Sequence, residues 1–458
     1  MAPAQQELDA AAERAVEAAV SAGAADAEAF ALQDAGREVR VHGGEVESLT
    51  AATERGVGVR AWIGGRVGYA YGTDLAEPGL EAVGARAAEG AAIADEDEFA
   101  APPRPEGDPP LIEGLVDGSL EAWETPRVID LALTIERTAL GADARIAGVE
   151  QAVYADSDQL VALHSSAGVR GAFRATSAYA YLQALADGDG GGRETGLGFG
   201  LARGPAGLDP EAIGEEGAQR AVSMIGAGKP ASRACPVVLD TTVAASFAGL
   251  VGGTLGADGV QRGRSPFADR LGEEVAAEAL VLRDDGLDPG GLASSPVDGE
   301  GVPRRRIDLI EGGRLRTYLH DTYTARRAGD GTSSTASAGR GSYRSPPSVS
   351  PSNLVVEPGD LDLDALLGEA GEGIYVTDVA GLHSGVNPVT GVFSVGASGR
   401  EIEGGELGRP VREFTIAGDL VGMLRSVRAA GSEARWVPFG GSVLTPPLLV
   451  GEISVSGL

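Results

Sequence analysis

The stretch at residues 236–260, PVVLDTTVAASFAGLVGGTLGADGV, constrains the fold more than any other part of the chain. It opens with the apolar run Val237-Val238-Leu239, which is typical of a buried strand, and continues through Asp240 into an apolar, glycine-rich segment that predicts a helix. Many proteins hold phosphate or a metal ion where a strand leads into a helix. The chemistry of this junction therefore decides which class of protein the chain can be.

The residues of the junction favour a packed helix. Val243, Phe247, Leu250 and Val251 recur at helical spacing and predict a face that points into the core. The segment GLVGGTLG lacks the Gly-Lys-Ser/Thr ending of a phosphate-binding loop, and its glycines fall inside the helix. We therefore expect Gly252 and Gly253 to permit close packing or to end the helix.

The histidines and the single cysteine give no metal signature. His42, His164, His320 and His383 are scattered through the chain, whereas zinc sites usually draw two histidines from one helical turn. Cys235 stands beside the apolar strand, where a buried thiol is expected.

Charge and hydropathy exclude two further classes. The 458 residues carry a formal net charge of −30, which repels nucleic-acid and anionic membrane surfaces, so direct nucleic-acid binding is not expected. No run approaches the length of a membrane span, and the N-terminal segment predicts an amphipathic helix with no features of a signal peptide. We expect a soluble, cytoplasmic protein.

The order of patterns predicts an α+β fold. The N-terminal part, residues 1–226, alternates strands with helices at about 78–94 and at 210–226, and Pro126 stands early in another helix or breaks it. Residues 165–168 predict a hairpin tip, and residues 188–196, GDGGGRETG, predict a flexible loop. Residues 227–458 predict a mostly β domain that ends in a strand pairing back into the body.

Two polar segments could carry chemistry. Residues 329–345, GDGTSSTASAGRGSYRS, are rich in hydroxyl groups but read as a mobile surface loop. Asp298 and Glu300 form a carboxylate pair, for which we expect a turn at Gly299 and Gly301 with Arg304 to Arg306 neutralising the charge. Neither segment places a nucleophile beside a base.

Six motifs in the second half of the chain occur in an order that resembles a known family. They are PVVLDTTVAASFAGLV, GRSPFADRLGEEVA, the long run from LVLRDDG to DTYTARRAG, SNLVVEPGD, GIYVTDVAGLHSGVNPVTGVFSVGASGREIEGGEL, and PVREFTIAGDLVGMLRSV. Together they resemble the TldD/PmbA family of peptide-processing proteins, and specifically its PmbA branch, also called TldE.

The resemblance implies a zinc site that this chain departs from. In the TldD-type branch it implies a His-Glu-x-x-x-His helix after a strand like PVVL, and a further cysteine ligand near the C-terminus. Phe247 and Ala248 stand where His-Glu would be, and Gly252 where the second His would be. Residues 236–270 contain no histidine, and the segment GSEARWVPFGGSVLTPPLLV contains no cysteine. The resemblance therefore implies no cofactor in this chain and zinc in a TldD-type partner.

Our leading hypothesis is a non-catalytic, metal-free subunit of a heteromeric TldD/TldE zinc metallopeptidase. It would help to form a chamber for short or unfolded peptides, and the sequence leaves open whether a homodimer forms when the partner is absent. His320, His383 and Asn387 lie in family motifs and are candidates for lining that chamber, and the alternative is a purely structural role, with Asn387-Pro388 starting a turn.

Two alternatives stay open. The PmbA branch has been linked to modulation of DNA gyrase and of toxin–antitoxin systems, which would make the chain a regulatory protein-binding protein. The second alternative is a stand-alone amide hydrolase that uses carboxylates or a hydroxyl group. Its activity would persist in the presence of a chelator.

Overall fold

We describe the fold from a computed structural model, in which residues 3–188 and 192–458 are described. The fold is α+β, as predicted, with a helix-and-strand N-terminal part followed by a strand-rich C-terminal part. The predicted division near residue 226 falls between the last helix of the first part and the first strand of the second, and we keep it as a proposal.

One six-stranded antiparallel sheet, in the order β3-β2-β1-β4-β5-β6, forms the centre of the N-terminal part. Its strands are long, and the β4–β5 hairpin turns where residues 165–168 predict it. The strands are β1 (Asp26–His42), β2 (Glu45–Ile63), β3 (Arg66–Gly72), β4 (Ile146–Ser165), β5 (Arg170–Asp187) and β6 (Arg193–Ala202). The predicted loop at 188–196 is wrong for residues 193–196, which belong to β6, and residues 189–191 lie outside the described residues.

Two helix pairs cover one face of this sheet because each presents an alanine-rich or branched apolar stripe. The helices are α1 (Pro3–Ser21), α2 (Glu77–Ile93), α3 (Ser119–Ala122), α4 (Thr125–Ala142) and α5 (Pro210–Ser223). Pro126 lies in the first turn of α4, where its missing N–H costs nothing.

The opposite face of the sheet packs against the C-terminal part. Phe30, Leu163 and Val169 form a small apolar cluster there with Tyr343, which is fully buried. The Tyr69 hydroxyl donates to the Tyr343 carbonyl at 2.7 Å. The two parts of the chain therefore share an interface that includes the hydroxyl-rich segment.

Two six-stranded sheets organise the C-terminal part, in the orders β16-β15-β14-β7-β20-β17 and β10-β9-β8-β13-β19-β18. Pairing of β16 with β20 closes β7, β14, β15, β16 and β20 into a ring, so the terminal strand does pair back into the body. The strands are β7 (Arg233–Leu239), β8 (Leu282–Asp285), β9 (Arg306–Glu311), β10 (Arg314–Leu315), β11 (Ala338–Gly339), β12 (Ser348–Val349), β13 (Asn353–Val356), β14 (Gly373–Ala380), β15 (Val392–Glu403), β16 (Glu406–Asp419), β17 (Val427–Ala430), β18 (Arg435–Val437), β19 (Ser442–Thr445) and β20 (Leu448–Ser456).

One helix, α6, contributes to the apolar core that both sheets share. The helices of this part are α6 (Thr241–Thr254), α7 (Ala257–Gln261), α8 (Thr322–Ala328), α9 (Leu363–Ala370), α10 (Leu382–Gly385) and α11 (Leu420–Arg425). Cys235, on β7, is buried as expected. Among the described residues, no helix is long and apolar enough to cross a membrane.

Candidate functional site

The helix α6 begins at the strand-to-helix junction, and Asp240 fixes its first turn. The Asp240 carboxylate accepts hydrogen bonds from the Thr242 backbone N–H at 3.0 Å and from the Thr242 hydroxyl at 2.7 Å. This is ordinary N-capping, in which a carboxylate satisfies N–H groups that lack a partner inside the helix. The junction therefore holds a side chain of the protein where other proteins hold an anion.

The residues in the zinc-motif register lie on the buried side of α6. Phe247 is 2% exposed and meets Phe393 edge to face, with 5.1 Å between ring centroids, and Ala248 is buried as well. A side chain on Gly252 would overlap Leu354. Val243, Phe247 and Val251 of the predicted core face are buried and Gly252 packs closely as expected, whereas Leu250 is only partly buried.

The less buried side of α6 carries Ser246, Gly249, Leu250 and Gly253. Ser246 donates its hydroxyl back to the Thr242 carbonyl at 2.9 Å, and Gly249 lies directly against the backbone of Gly440. Neither side of the helix offers an imidazole, thiolate or carboxylate, which are the ligands that zinc requires.

The wider structure agrees with this view of α6. Within residues 3–188 and 192–458, no three His, Cys, Asp or Glu side chains converge in a way that could hold a metal ion. The residues of α6 do not fit the zinc that the resemblance implies for the TldD-type branch.

The loop at residues 438–440, near the C-terminus of the chain, contacts α6 and also contains no side chain that could bind zinc. It contains Pro438, Phe439 and Gly440, and Phe439 contacts Phe199 of β6 edge to face at 5.4 Å between centroids. Beside this contact lies an apolar groove of about 270 Å³ between the N-terminal sheet and the loop. Its lining residues are Tyr179, Ala180, Tyr181, Phe199, Gly200, Leu201, Leu292, Pro438 and Phe439.

A chain of charged groups links the start of α6 to the N-terminal part. Glu216 on α5 accepts from Arg435 at 2.7 Å and from Arg220 at 3.2 Å, and Arg220 reaches Asp240 at 3.3 Å. The Tyr375 hydroxyl donates to the second Asp240 oxygen at 2.6 Å. Both carboxylate oxygens of Asp240 are therefore engaged, which leaves it unsuited to act as a general base.

Electrostatics keep Asp240 ionised and Tyr375 protonated. Burial opposes the Asp240 charge, but Arg220 and the hydrogen bonds from Tyr375 and Thr242 outweigh burial and lower the pKa of Asp240. Burial and the adjacent Asp240 carboxylate raise the pKa of Tyr375. This network, which we call the clamp, holds the start of α6 in place through Asp240, Arg220 and Tyr375. A polar pocket of about 500 Å³ opens beside it, between the two parts of the chain.

Sequence reasoning missed this clamp because its members are distant along the chain. Arg220 and Tyr375 stand 20 and 135 residues from Asp240, and no spacing rule joins them. The one available signal was an Asp directly before an apolar helix, which is typical of an N-cap.

His320 is buried, and its environment keeps it neutral. It is 5% exposed, and burial lowers its pKa. Its Nδ1 has no hydrogen-bond partner among the described residues, while its backbone is held by Thr335 and Ser337. It lines neither the apolar groove nor the polar pocket.

His383 and Asn387 lie together on the surface, apart from both cavities. His383 is exposed on α10, and the Asn387 side-chain oxygen accepts from the backbone N–H groups of Val389 at 2.9 Å and Thr390 at 3.1 Å. This geometry is the turn that Asn387-Pro388 predicts. A role for the three residues in a chamber stays a proposal.

The carboxylate pair lies in the expected turn, where the Gly301 N–H donates to the Asp298 carbonyl at 3.1 Å, and this turn is buried at the interface of the two parts. Glu300 accepts from Arg60 at 3.0 Å and from the Thr322 hydroxyl at 2.7 Å, and Arg60 also pairs with Glu28 at 2.6 Å. The buried Arg340 donates to Glu28 at 2.7 Å. The expectation that Arg304 to Arg306 neutralise the pair is wrong for Glu300, because Arg60 from β2 does so.

Asp298 lies beside this cluster, with its oxygens facing backbone N–H groups. It accepts from the N–H groups of Glu300, Val302 and Ala338 at 2.9, 3.0 and 3.1 Å. Burial and the Glu300 carboxylate raise the pKa of Asp298 to about 7, although Arg304 acts in the opposite direction. Of the two glycines expected to adopt unusual backbone angles, only Gly301 has a positive φ, of 77°.

The centre of the hydroxyl-rich segment, residues 334–338, is buried, so the interpretation as a mobile surface loop is wrong there, whereas both ends of the segment are exposed. Ser334, Thr335 and Ser337 are each less than one-tenth exposed, and their side chains bond to the His320 backbone or to one another. The prediction took low hydrophobicity as a sign of exposure, but these hydroxyl groups can be buried because they form hydrogen bonds with buried backbone groups.

Fold and site together define a class of protein. Three family models match the chain, described as the PmbA/TldA metallopeptidase domain 1 over residues 27–91, the central domain over residues 118–225 and the C-terminal domain over residues 232–457. The chain belongs to the PmbA/TldD family, and the resemblance seen in its motifs is confirmed.

Characterised relatives are similar over nearly the whole length. The chain is 30% identical to the Metalloprotease PmbA homolog of Haemophilus influenzae, over 99% of this chain and 97% of that protein. It is 29% identical to Metalloprotease PmbA of Escherichia coli O157:H7, over 93% of this chain and 92% of that protein.

Solved structures share the fold. A Thermotoga maritima crystal structure, described as a proposed modulator of a DNA gyrase, superposes with a TM-score of 0.89 at 26% identity over 98% of this chain and 99% of that one. The crystal structure of TldE from Thermococcus kodakarensis has a TM-score of 0.89 at 23% identity over 98% of this chain and 100% of that one. At that identity the TldE structure is evidence of fold alone.

Proposed function

We propose that this chain is the metal-free, non-catalytic subunit of a heteromeric TldD/TldE-type zinc metallopeptidase in the cytoplasm. The observation that carries the proposal is α6, whose buried side is filled by Phe247 and Ala248 and whose other side presents Ser246 and Gly249. A helix built this way contributes packing and no ligand. Zinc, and the polarisation of the peptide carbonyl that zinc supplies, would belong to the TldD-type partner.

Short or unfolded peptides would be the substrates, and this subunit would supply part of the chamber wall. The apolar groove beside Phe199 and Phe439 supports this role, because it opens at the loop that contacts α6 and is lined by aromatic rings. Main-chain hydrogen bonds and apolar contacts bind extended peptides with little dependence on sequence.

The test is reconstitution with the TldD-type paralogue. Each chain is purified alone and in the mixture, and hydrolysis of an unstructured peptide is followed with and without a chelator. We expect cleavage only where the paralogue is present, loss of cleavage in chelator, and higher activity in the mixture than with the paralogue alone. Chelator-sensitive cleavage by this chain alone would refute the proposal, and chelator-resistant cleavage would indicate a stand-alone amide hydrolase.

A matched pair of variants tests the groove. Phe439→Ala removes an aromatic wall of the groove, whereas Leu271→Ala truncates a more exposed apolar side chain elsewhere. We expect Phe439→Ala to raise the KM of the reconstituted complex for peptide by about three- to tenfold, the usual worth of one apolar contact, and Leu271→Ala to leave it unchanged.

Two related structures are described as proposed modulators of DNA gyrase, so regulation is the second candidate function. A pulldown from cell extract separates the two ideas. Recovery of gyrase or an antitoxin, without a TldD-type subunit, would favour regulation through protein contacts over the peptidase proposal.

A further inference from the structure

The polar pocket beside the clamp has no role in the peptidase function proposed above. Residues of β6 and α5 line one side of it, and residues of β14, β15 and β16 line the other. Its volume of about 500 Å³ lies in the range of pockets that hold small ligands. The charges on its walls indicate which ligand would fit.

The lining residues include equal numbers of cations and anions. They are Arg220, Arg400, Arg412, Glu194, Asp240 and Asp378. Arg412 donates to Glu194 at 2.6 Å, and Arg220 reaches Asp240 at 3.3 Å. Two of the three cations and two of the three anions are therefore already paired.

The remaining two charges, Arg400 and Asp378, form no ion pair within the part of the chain that the structure describes. Both belong to the C-terminal part, on neighbouring strands of one sheet. A pocket that presents one unpaired cation and one unpaired anion suits a ligand that carries both charges.

A β-bulge brings Asp378 into the pocket. Val376 lies opposite Gly399 and Asp378 lies opposite Ser398, so Thr377 is an extra residue in β14. In a regular strand the side chains of Thr377 and Asp378 would point to opposite faces of the sheet, whereas here both line the pocket. Bulges of this kind often redirect a side chain beside a functional site.

Arg400 is turned away from Asp378 by its own hydrogen bonds. Its Nε and Nη2 atoms donate to the Gly408 carbonyl on β16 at 3.0 and 2.7 Å. Because β15 lies between β14 and β16, the guanidinium and the Asp378 carboxylate are about one to two strand spacings apart, roughly 5–10 Å. The two charges stay separate, and Nη1 of Arg400 has no hydrogen-bond partner among the described residues.

Uncharged polar groups surround these two charges. Gln183, Gln219 and Ser398 line the pocket, and their side chains form no hydrogen bond with other described residues. They can bind the amide or side-chain atoms of a ligand. A simple anion would face Asp378 and a simple cation would face Arg400, so neither fits the whole lining.

We propose that this pocket binds a small zwitterion, an α-amino acid or a dipeptide, whose carboxylate pairs with Arg400 and whose ammonium group pairs with Asp378. The guanidinium offers the planar donor geometry that suits a carboxylate. Binding requires no partner subunit and no zinc, so it is independent of the proposed peptidase function.

Thermal unfolding of the full chain at pH 7, with the common L-amino acids and diglycine as probes at about 10 mM each, tests the proposal. We expect at least one probe to raise Tm, because a ligand that binds the folded state stabilises it. Its N-acetyl derivative lacks the ammonium group and its amide lacks the carboxylate, so both should raise Tm far less. Isothermal titration calorimetry then gives the Kd of the best probe.

Two substitutions test which charge binds which end of the probe. Asp378→Asn should raise the Kd about ten- to hundredfold and remove the preference for the probe over its N-acetyl derivative. Arg400→Gln should raise the Kd similarly and remove the preference over the amide, whereas Arg400→Lys, which keeps the charge, should retain part of the affinity. Asp360→Asn and Arg428→Gln change exposed residues outside the pocket and should leave the Kd unchanged.

Three results would overturn the proposal. They are the absence of any probe that raises Tm, an N-acetyl derivative or amide that binds as tightly as its parent probe, and a Kd insensitive to both Asp378→Asn and Arg400→Gln. A rise in Tm with acetate or phosphate alone that persists in Asp378→Asn would also contradict it, because it would define a simple anion site. Asp378→Asn changes an exposed side chain with little change of shape, so it tests the site even if Arg400→Gln folds poorly.

Discussion

The α6 helix and the buried charged cluster at the interface between the two parts of the chain differ in whether they contain charged side chains. The helix occupies the position that the family resemblance assigns to a metal site in the TldD-type branch, yet its residues are apolar, glycine, serine or threonine. The cluster of Glu28, Arg60, Glu300 and Arg340 lines neither the apolar groove nor the polar pocket, yet it buries two cations and two anions in contact.

The comparison shows that this chain buries charged side chains at the interface between its two parts and not on α6. Zinc chemistry needs ligands that converge on an accessible space, and α6 offers a packed surface instead. Buried ion pairs contribute little net stability over apolar replacements, but removing one partner leaves an uncompensated charge. The cluster therefore specifies how the two parts of the chain meet, and α6 serves as a part of the core.

The largest expected effect comes from breaking the cluster. Arg60→Ala would leave the carboxylates of Glu28 and Glu300 without their shared partner, and we expect a loss of about 3–5 kcal/mol in the free energy of unfolding. Arg344→Ala removes the exposed pair with Glu54 and should cost less than about 1 kcal/mol. Urea denaturation measures the free energy of unfolding of both variants. Equal losses would contradict the difference in role between the buried cluster and an exposed ion pair.

The pH dependence of stability should trace to Asp298. Its pKa is about 7 in the folded chain, against about 3.9 in an unfolded one. The folded state therefore binds the proton more tightly, so this contribution to stability is complete below about pH 4 and is lost as the pH rises through about 7.

Asp298→Asn should remove that contribution. The difference in unfolding free energy between wild type and variant should fall by on the order of 2–3 kcal/mol from pH 4 to pH 7. Denaturation at several pH values in this range measures it. A constant difference would mean that Asp298 does not hold a proton in the folded chain.

A glycine series along α6 tests how tightly its two sides are packed. A methyl group on Gly249 would meet the backbone of Gly440, whereas one on Gly253 would meet nothing within contact distance. We expect Gly249→Ala to destabilise the protein by about 1–3 kcal/mol. Gly253→Ala should instead stabilise it by about 0.5–1 kcal/mol, because alanine favours a helix more than glycine does. Thermal unfolding of the two variants decides the matter, and a stabilised Gly249→Ala would show room for a ligand there.

The smallest effect is expected at the surface turn. Asn387→Ala removes two hydrogen bonds from an exposed turn and should cost less than about 1 kcal/mol. If His383 and Asn387 line the chamber, His383→Ala and Asn387→Ala should lower the turnover of the reconstituted complex without dissociating it. Unchanged turnover would remove them from the candidates.

Local patterns predicted the strand-to-helix junction and the core face of α6, because Val243, Phe247 and Val251 follow helical spacing. The same reasoning failed for Glu300 and the hydroxyl-rich segment. The partner of Glu300 is Arg60, 240 residues away, and the backbone of the buried Ser337 bonds to His320 and Ser350, which lie outside its segment. Contacts of this kind follow from the assembled fold, which periodicity and composition do not report.

The zinc content of this chain, purified without a partner and measured by mass spectrometry after exposure to excess zinc and gel filtration, tests the central claim most directly. We predict far less than one zinc per chain, with no zinc-dependent rise in Tm, because a ligand that binds the folded state would stabilise it. One zinc per chain, retained through gel filtration, would contradict the account.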